Sequence, residues 1–585
     1  MARPFHLRSP LRTTAFSLLL SVLCVIARPA YGQNSQPENK SADGIRGTVV
    51  NSVTHEPIGR ALVYSPDNRF ATMTDSEGHF EFAFATDNGN EGSGSANKPS
   101  YRRADIFGLM ARKPGFIEAR ITQTVQPGSA TKELMLSLTP ESLVIGRVLL
   151  SNAEASDPIQ LEIYRRQVLD GRAHWVLAGS TSTKSTGEFR FAELPAGSYK
   201  LLTRELMDRD PLASDPKSQV YGYPPVYFPN ATDFAAGQAI QLSAGQIFQA
   251  DISLVRHAYY PVKVTVANAP STPGISIVVS VQGHRGPGYA LGYNHREQMI
   301  EGLLPNGNYT LEASSFGPNA ASGVTNISVK GIAVEGARMT LLPTGSINVN
   351  VKEEFTSTED TNSPRMSVIN GRRGIEQGPA RYLNLHLEPI DDFGQERSAW
   401  MRPRSPEDDS LIIEGVQPGR YWVRTNSSRG FVAAISSGTT DLQHQPLIVG
   451  LGGSSSPIEV TMRDIGADVD GTIDGVATSL NGVATSLDID GLPVLPDSPH
   501  VYFVPLPDSS GEFRDAWVNG DGKFGPQQLP PGSYLALAFD RPQPELEYGN
   551  PEAMRAYEEK GQLIRLTAGQ KEHLHLQLIS TNEKP

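Results

Sequence analysis

A six-residue pattern, apolar-Pro-x-Gly-x-Tyr, recurs along this 585-residue chain at an almost fixed interval. It reads Leu194-Pro195-Ala196-Gly197-Ser198-Tyr199, then Leu304-Pro305-Asn306-Gly307-Asn308-Tyr309, then Leu529-Pro530-Pro531-Gly532-Ser533-Tyr534. Val416-Gln417-Pro418-Gly419-Arg420-Tyr421 is a variant of it. Tyr199, Tyr309, Tyr421 and Tyr534 are almost evenly spaced, and an apolar residue (Phe189, Met299, Leu411, Phe524) stands ten positions before each. Solenoid turns repeat every 20–50 residues or so. The interval here is much longer and instead matches whole domains laid end to end.

Each copy reads as a β-hairpin. A glycine-bearing turn such as Ser185-Thr186-Gly187 precedes a short alternating strand. Proline then ends the strand, because it has no N–H to give to a ladder, and glycine reverses the chain. Tyrosine opens the partner strand and is expected to pack in the core or at a corner. The first unit keeps half of the pattern, with Phe80 standing one such interval before Phe189, and then departs into a polar run at 87–94. Opening strands are expected near 44–50, 143–150, 260–266, 346–351 and 468–473. The 55 glycines and 44 prolines suit many short strands. Helical periodicity is confined to 551–560, with Asn550 as cap and Pro551 in the first turn.

The expected fold is therefore all-β: about five tandem Greek-key β-sandwiches with very little helix, preceded by a signal peptide. The expected division is 1–32 signal peptide, then sandwiches at 33–142, 143–257, 258–343, 344–463 and 464–585. The leader follows from Arg3, Arg8 and Arg12 before an apolar stretch from Ala15 to Ala27, too short to span a bilayer. Ala30 and Gly32 place small residues before a cleavage point at Gln33. Cleavage removes Cys24, the one cysteine, so the mature chain has no disulfide. It also removes four arginines, leaving 47 basic residues against 63 acidic ones. That balance disfavours nucleic acid as a partner. No membrane span is expected after cleavage.

These residues resemble carboxypeptidase regulatory-like domains, prealbumin-like sandwiches related to collagen-adhesin B-type repeats. Ile45-Arg46-Gly47-Thr48-Val49-Val50 with Asp75 to Phe80 matches the family's opening strand and hairpin. Ile145-Gly146-Arg147-Val148, Gly187 to Phe189 and Leu194 to Tyr199 match it more loosely, with Thr186 in place of an acid. The opening glycine is lost in the third and fourth units. The resemblance implies a sandwich fold in each unit. Its relation to carbohydrate-binding-like modules permits sugar binding without establishing it.

The expected role is non-catalytic. There is no H-E-x-x-H, no G-x-S-x-G and no phosphate-binding loop, so no catalytic, cofactor-binding or metal-ligating residues are assigned and no cofactor is expected. Asp464, Asp468, Asp470 and Asp474 crowd the start of the fifth unit. Calcium takes several carboxylate oxygens, but the spacing departs from the calcium-loop pattern, and a solvated strand is expected. His573 and His575 face one way on a strand with no third ligand in sequence. The candidate ligand-binding residues are Tyr221, Tyr223, Tyr227 and Phe228, a Pro-flanked aromatic cluster whose rings suit stacking on sugars or sealing an interface between units. The leading expectation is a structural or binding protein, a rod or string of units in the periplasm, at the cell surface or outside the cell. Its expected partner is a glycan or an envelope protein. The alternative is a carbohydrate-binding protein using the aromatic loop. A metal-dependent peptidase or its accessory is the remote third reading.

Overall fold

The computed structural model describes residues 44–581 apart from 68–69, 84–107, 118–121, 125–133, 152–157, 209–218, 270–273, 316–318, 357–364, 370–371, 377, 392, 394–397, 406–407, 476–485, 488–492, 495–498 and 520. The expected leader at 1–32 and the polar run at 87–94 lie outside the described residues. The chain is all-β and multi-domain, with one short α-helix among the described residues, Pro551–Met554. Asn550 caps that helix by accepting from Glu552 N at 3.2 Å. Its α-turn passes into a 3-10 turn at Arg555–Tyr557, so the expected helix over 551–560 is shorter and tighter.

One strand arrangement is built five times. The opening strands are Gly44–Asn51, Ser142–Leu150, His257–Ala267, Gly345–Glu354 and Ala467–Asp474. Each pairs antiparallel with the hairpin strand, which in the second to fifth units precedes the Pro-Gly turn: His79–Ala83, Glu188–Leu194, Met299–Pro305, Asp408–Val416 and Lys523–Leu529. Each also pairs parallel with a closing strand: Leu134–Leu138, Ile247–Gln249 with Ile252–Leu254, Val334–Thr340, Ile458–Arg463 and Lys571–Ile579. A parallel partner requires a long crossover, so the first and last strands of a unit meet only after its second sheet is laid down. The opening strands bury alternate residues. Val49, Val148, Val264, Val349 and Val469 each sit in a separate apolar cluster. Alternation of this kind places one face of a strand on a core and the other in water.

The repeated tyrosines close these cores. Tyr199, Tyr309, Tyr421 and Tyr534 are at most 3% exposed. Each hydroxyl donates to the carbonyl four residues earlier: Pro195 at 2.6 Å, Pro305 at 3.0 Å, Gln417 at 2.9 Å and Pro530 at 2.6 Å. The ring fills the interior while its hydroxyl ties down the turn that the proline began. The spacing of the motif is thus the reach of a tyrosine back across its own turn.

The partner of the hairpin aromatic explains the divergence between units. Phe80, Phe189 and Phe524 stand opposite Gly47, Gly146 and Gly471. A Cβ at those glycines would fall 2.6, 2.8 and 2.7 Å from the aromatic Cζ, well inside contact distance. In the third and fourth units the pairs become Met299 with Thr265 and Leu411 with Val349. In the fourth unit Leu411 and Val349 share the core, whereas in the third Thr265 is exposed and the core pair is the adjacent Ile300 with Val264.

Three features depart from five identical sandwiches. Leu206–Asp208 and Val220–Tyr223, which fall within the second unit's sequence, add to the third unit's sheet, with Val220 opposite Tyr259. Nine strands of the fourth unit form one continuous hydrogen-bonded order, and Arg365–Ile369 pairs with Arg372–Glu376 apart from it. In the fifth, His500–Pro505 and Gly532–Phe539 are apolar on both faces. Their second face carries Tyr502, Leu535, Leu537 and Phe539, covered by Leu546 and Met554 from the segment that contains the helix.

Candidate functional site

The Tyr221 to Phe228 segment is positioned by the strands it joins. Tyr223 is 3% exposed and lies in the second unit's core. Tyr227, also 3% exposed, donates its hydroxyl to Pro287 O of the third unit in a short hydrogen bond and packs its ring edge-on against Phe234. Burial pushes the Tyr227 hydroxyl far above the usual phenol range. Phe228 is half-buried against Phe248, 5.9 Å between ring centres. Tyr221 is 37% exposed, and the Arg256 guanidinium sits 4.2 Å from its ring centre. The four are therefore not one ligand platform. Two are core residues, one is a packing residue, and the fourth has a cation over its ring.

The aspartates of the fifth unit's opening strand are engaged one by one. Asp468 accepts from Gln528 Nε2 at 2.9 Å and Asp474 from Gln577 Nε2 at 2.8 Å. Asp470 pairs with His573, and His575 shares a 2.9 Å hydrogen bond with Thr472. Asp464 accepts from Thr356 N at 2.9 Å. Among the described residues, no group of three or more His, Cys, Asp or Glu is placed to hold a metal ion.

The densest polar chemistry lies where the units meet, and one hairpin creates it. Gln160–Leu169 and Arg172–Ser182 are long strands joined by Asp170 and Gly171, both at positive φ, as a tight two-residue hairpin turn requires. Length carries the tip beyond its own sandwich. There Gly549 N, in the fifth unit, donates to Gly171 O at 2.8 Å. A Cβ at Gly171 would meet the Tyr548 ring at 2.5 Å, so this contact admits only glycine. Arg165 pairs with Glu545 at 3.3 Å and Arg166 with Glu547 at 2.6 Å.

The same hairpin faces the fourth unit. His174, 5% exposed, places Nε2 2.8 Å from Glu388 Oε1. The other oxygen of Glu388 accepts from Arg424 Nε at 2.7 Å. Burial pushes the Glu388 carboxyl up, but His174 and Arg424 outweigh it and hold that group below the usual carboxylate range. Arg172 lays its guanidinium 4.0 Å over the Trp422 ring. Burial, and then the nearby Arg424, lower Arg172 to about 10. Beside this cluster Phe234 of the second unit packs on Phe393 of the fourth, 4.8 Å between centres, with Tyr164 and Trp175 around them.

Two further joints complete the network. Arg285 of the third unit holds Glu312 and reaches Asp391 of the fourth at 3.2 Å. Glu512 of the fifth accepts from Val432 N of the fourth at 2.9 Å. A cavity of about 300 Å³ opens at the junction of the second, fourth and fifth units, lined by Arg166, Arg172, His174, Trp175, Trp422 and Glu547 among others. Sequence reasoning did not single out these residues. The one local signal was Asp170-Gly171 between two long alternating runs, a hairpin longer than a sandwich needs.

No family model matches the chain and no curated protein matches it. Among solved structures, the Bacillus anthracis TIE protein aligns at 9% identity over 75% of this chain and 74% of its own, with a TM-score of 0.14. A Streptococcal ancillary pilin aligns at 10% identity over 51% of this chain and 99% of its own, TM-score 0.17. GBS52, the minor pilin of Streptococcus agalactiae, aligns at 10% identity over 35% and 97%, TM-score 0.16. At such TM-scores these superpositions carry no argument about function. Among the described residues no helix is long and apolar enough to cross a membrane.

Proposed function

We propose that this is an exported, non-catalytic protein with a structural or binding role at the cell envelope or outside the cell, its sandwiches at 33–142, 143–257, 258–343, 344–463 and 464–585. In this reading the second to fifth sandwiches act as one docked body rather than as a loose string. The observation that carries it is the Gln160–Leu169/Arg172–Ser182 hairpin, whose side chains reach two other units through His174–Glu388 and Arg166–Glu547. The third unit's sheet also borrows Val220–Tyr223 from the second unit's sequence. A docked body presents clefts between units as well as the surfaces of single units. A glycan or an envelope protein is the partner class such clefts suit.

Two measurements test this. The mature protein recovered from its host is expected outside the cytoplasm, beginning at Gln33. A product retaining residues 1–32 in the cytoplasm would refute export. Small-angle scattering of the mature chain is expected to give a radius of gyration of roughly 25–30 Å, close to the roughly 24 Å of one compact chain of this length, whereas five units in a row would give roughly 50 Å. A value near the second figure would refute the docked arrangement.

A further inference from the structure

We propose that the 286–290 stretch of the third unit is a proton-held latch, which closes on the second unit while the Glu205 carboxyl is neutral and lets go when that carboxyl ionises. The stretch lies in the loop between Ile275–Val281 and Gly292–Asn294. Just before it, Arg285 is anchored to Glu312 and to Asp391 of the fourth unit. The chain then reads Gly286-Pro287-Gly288 and runs against the second unit. A Cβ at Gly286 would fall 2.7 Å from Phe234 Cβ, and one at Gly288 would fall 2.8 Å from Pro225 Cβ. Glycine alone admits so close an approach. Three hydrogen bonds complete the contact. Tyr227 donates its hydroxyl to Pro287 O, Glu205 N donates to Gly288 O at 3.5 Å, and Ala290 N donates to Glu205 Oε1 at 3.0 Å. Glu205 thus grips the latch with both its backbone and its side chain.

The surroundings of the carboxyl make the contact depend on its proton. Its Oε2 is buried without a hydrogen-bond partner, so a negative charge there would rest on one N–H donor alone. Arg204, the cation that acts on it, is already bonded to Glu162 at 2.9 Å. The other titratable groups facing it are phenols. Tyr259 comes from the third unit's opening strand, Tyr289 from the latch itself, and Tyr309 from the strand after the Pro-Gly turn. Burial pushes the Glu205 carboxyl up to about 7, against the pull of the Ala290 N–H and Arg204. With the latch open, the carboxyl meets water and returns to its ordinary value of 4.5. The closed latch therefore holds a proton over a range in which the open one has released it, and closure weakens as the pH rises through 7.

The test is hydrogen exchange of the intact protein, read by mass spectrometry at pH 6 and pH 8.5 and corrected for the intrinsic effect of pH on exchange. Wild type is compared with Glu205→Gln, which keeps a carbonyl for Ala290 N and has no proton to lose. In wild type, protection of the Gly288, Tyr289 and Ala290 amides is expected to fall about 10-fold between the two pH values, while His257–Ala267 keeps its protection. In Glu205→Gln the three amides are expected to stay protected at pH 8.5. The wild-type comparison decides by itself if the variant does not fold. Protection of the three amides that does not change with pH in wild type overturns the proposal. So does a fall shared equally by His257–Ala267, which would be a loosening of the whole unit, or an equal fall in folded Glu205→Gln.

Discussion

Glu205 makes the joint between the second and third units sensitive to pH in a direction opposite to most carboxylates. It follows Gly197–Thr203 and precedes Leu206–Asp208, so it stands where the chain leaves one sheet for another. Its Oε1 accepts from Ala290 N at 3.0 Å, while its Oε2 is buried with no hydrogen-bond partner. Burial raises its pKa, the Ala290 N–H and Arg204 pull the other way, and the carboxyl ends at about 7 against an ordinary value of 4.5. Tyr259, Tyr289 and Tyr309 crowd the same space, and the Tyr259 hydroxyl has no partner. Between pH 4.5 and 7 the folded protein holds a proton that the unfolded chain has released. Stability from this group is therefore complete below pH 4.5 and is lost as pH rises toward 7 and beyond, by about 3 kcal/mol in all. Glu205→Gln keeps the acceptor for Ala290 and cannot ionise. Urea unfolding of both proteins from pH 4 to 8.5 is the assay, and the difference between them is the quantity read. Glu512 is also raised by burial but is common to both proteins, and the lowered Glu388 and Asp515 titrate on the acid side. The variant is expected to gain on the wild type steadily between pH 5 and 7.5 and to exceed it by up to about 3 kcal/mol at pH 8. A difference that does not change with pH, or a variant weaker at pH 8, would refute the reasoning.

Three other outcomes follow from the packing. Tyr534→Phe removes the 2.6 Å bond to Pro530 O from a fully buried site and is expected to cost about 1–3 kcal/mol in denaturant unfolding of the fifth unit. Gly146→Ala sets a Cβ 2.8 Å from Phe189 Cζ and against Ala250 O, and is expected to cost more than about 2 kcal/mol, whereas Thr265→Ala, at an exposed position of the third unit's opening strand, is expected to change stability by about 0.5 kcal/mol or less, both read from calorimetric transitions. Gly171→Val, at φ 72° and 2.5 Å from the Tyr548 ring, is expected to undock the hairpin and raise the radius of gyration in scattering while circular dichroism stays unchanged.

The fold was legible because its determinants are local and repeated. A Pro-Gly turn, a tyrosine that bonds back across it and a period-two strand each leave a mark within a short stretch of sequence. Recurrence of that mark at a near-constant interval, from Tyr199 through Tyr309 and Tyr421 to Tyr534, identifies the unit. Loss of the opening glycine looked like decay of the pattern, yet in the fourth unit Val349 faces Leu411 instead of phenylalanine, and in the third the core pair is Val264 with Ile300. That relation is invisible without the register, because the two partners are far apart in sequence. Val220–Tyr223 was read as a Pro-flanked loop for the same reason: the strand it completes belongs to the next unit. The aromatic content of the segment does not separate Tyr227, sealed between units, from Tyr221, at the surface.

The junction was illegible for a different reason, which also indicates what holds it. Its charged pairs join residues hundreds of positions apart, and no sequence spacing links Arg166 to Glu547 or His174 to Glu388. Such pairs add little net attraction, because desolvating each charge costs nearly what the contact returns. Removing one member is different, since it strands the other in a dry place at a cost of about 3–5 kcal/mol. Attraction between the second and fourth units therefore comes from the Phe234, Phe393 and Tyr164 rings, while His174, Glu388 and Arg424 fix the alignment in which their charges meet. With a single cysteine, the chain can form no disulfide between its units. A hairpin that reaches two neighbours at once supplies the cross-link in another form, through Arg166 with Glu547 and His174 with Glu388.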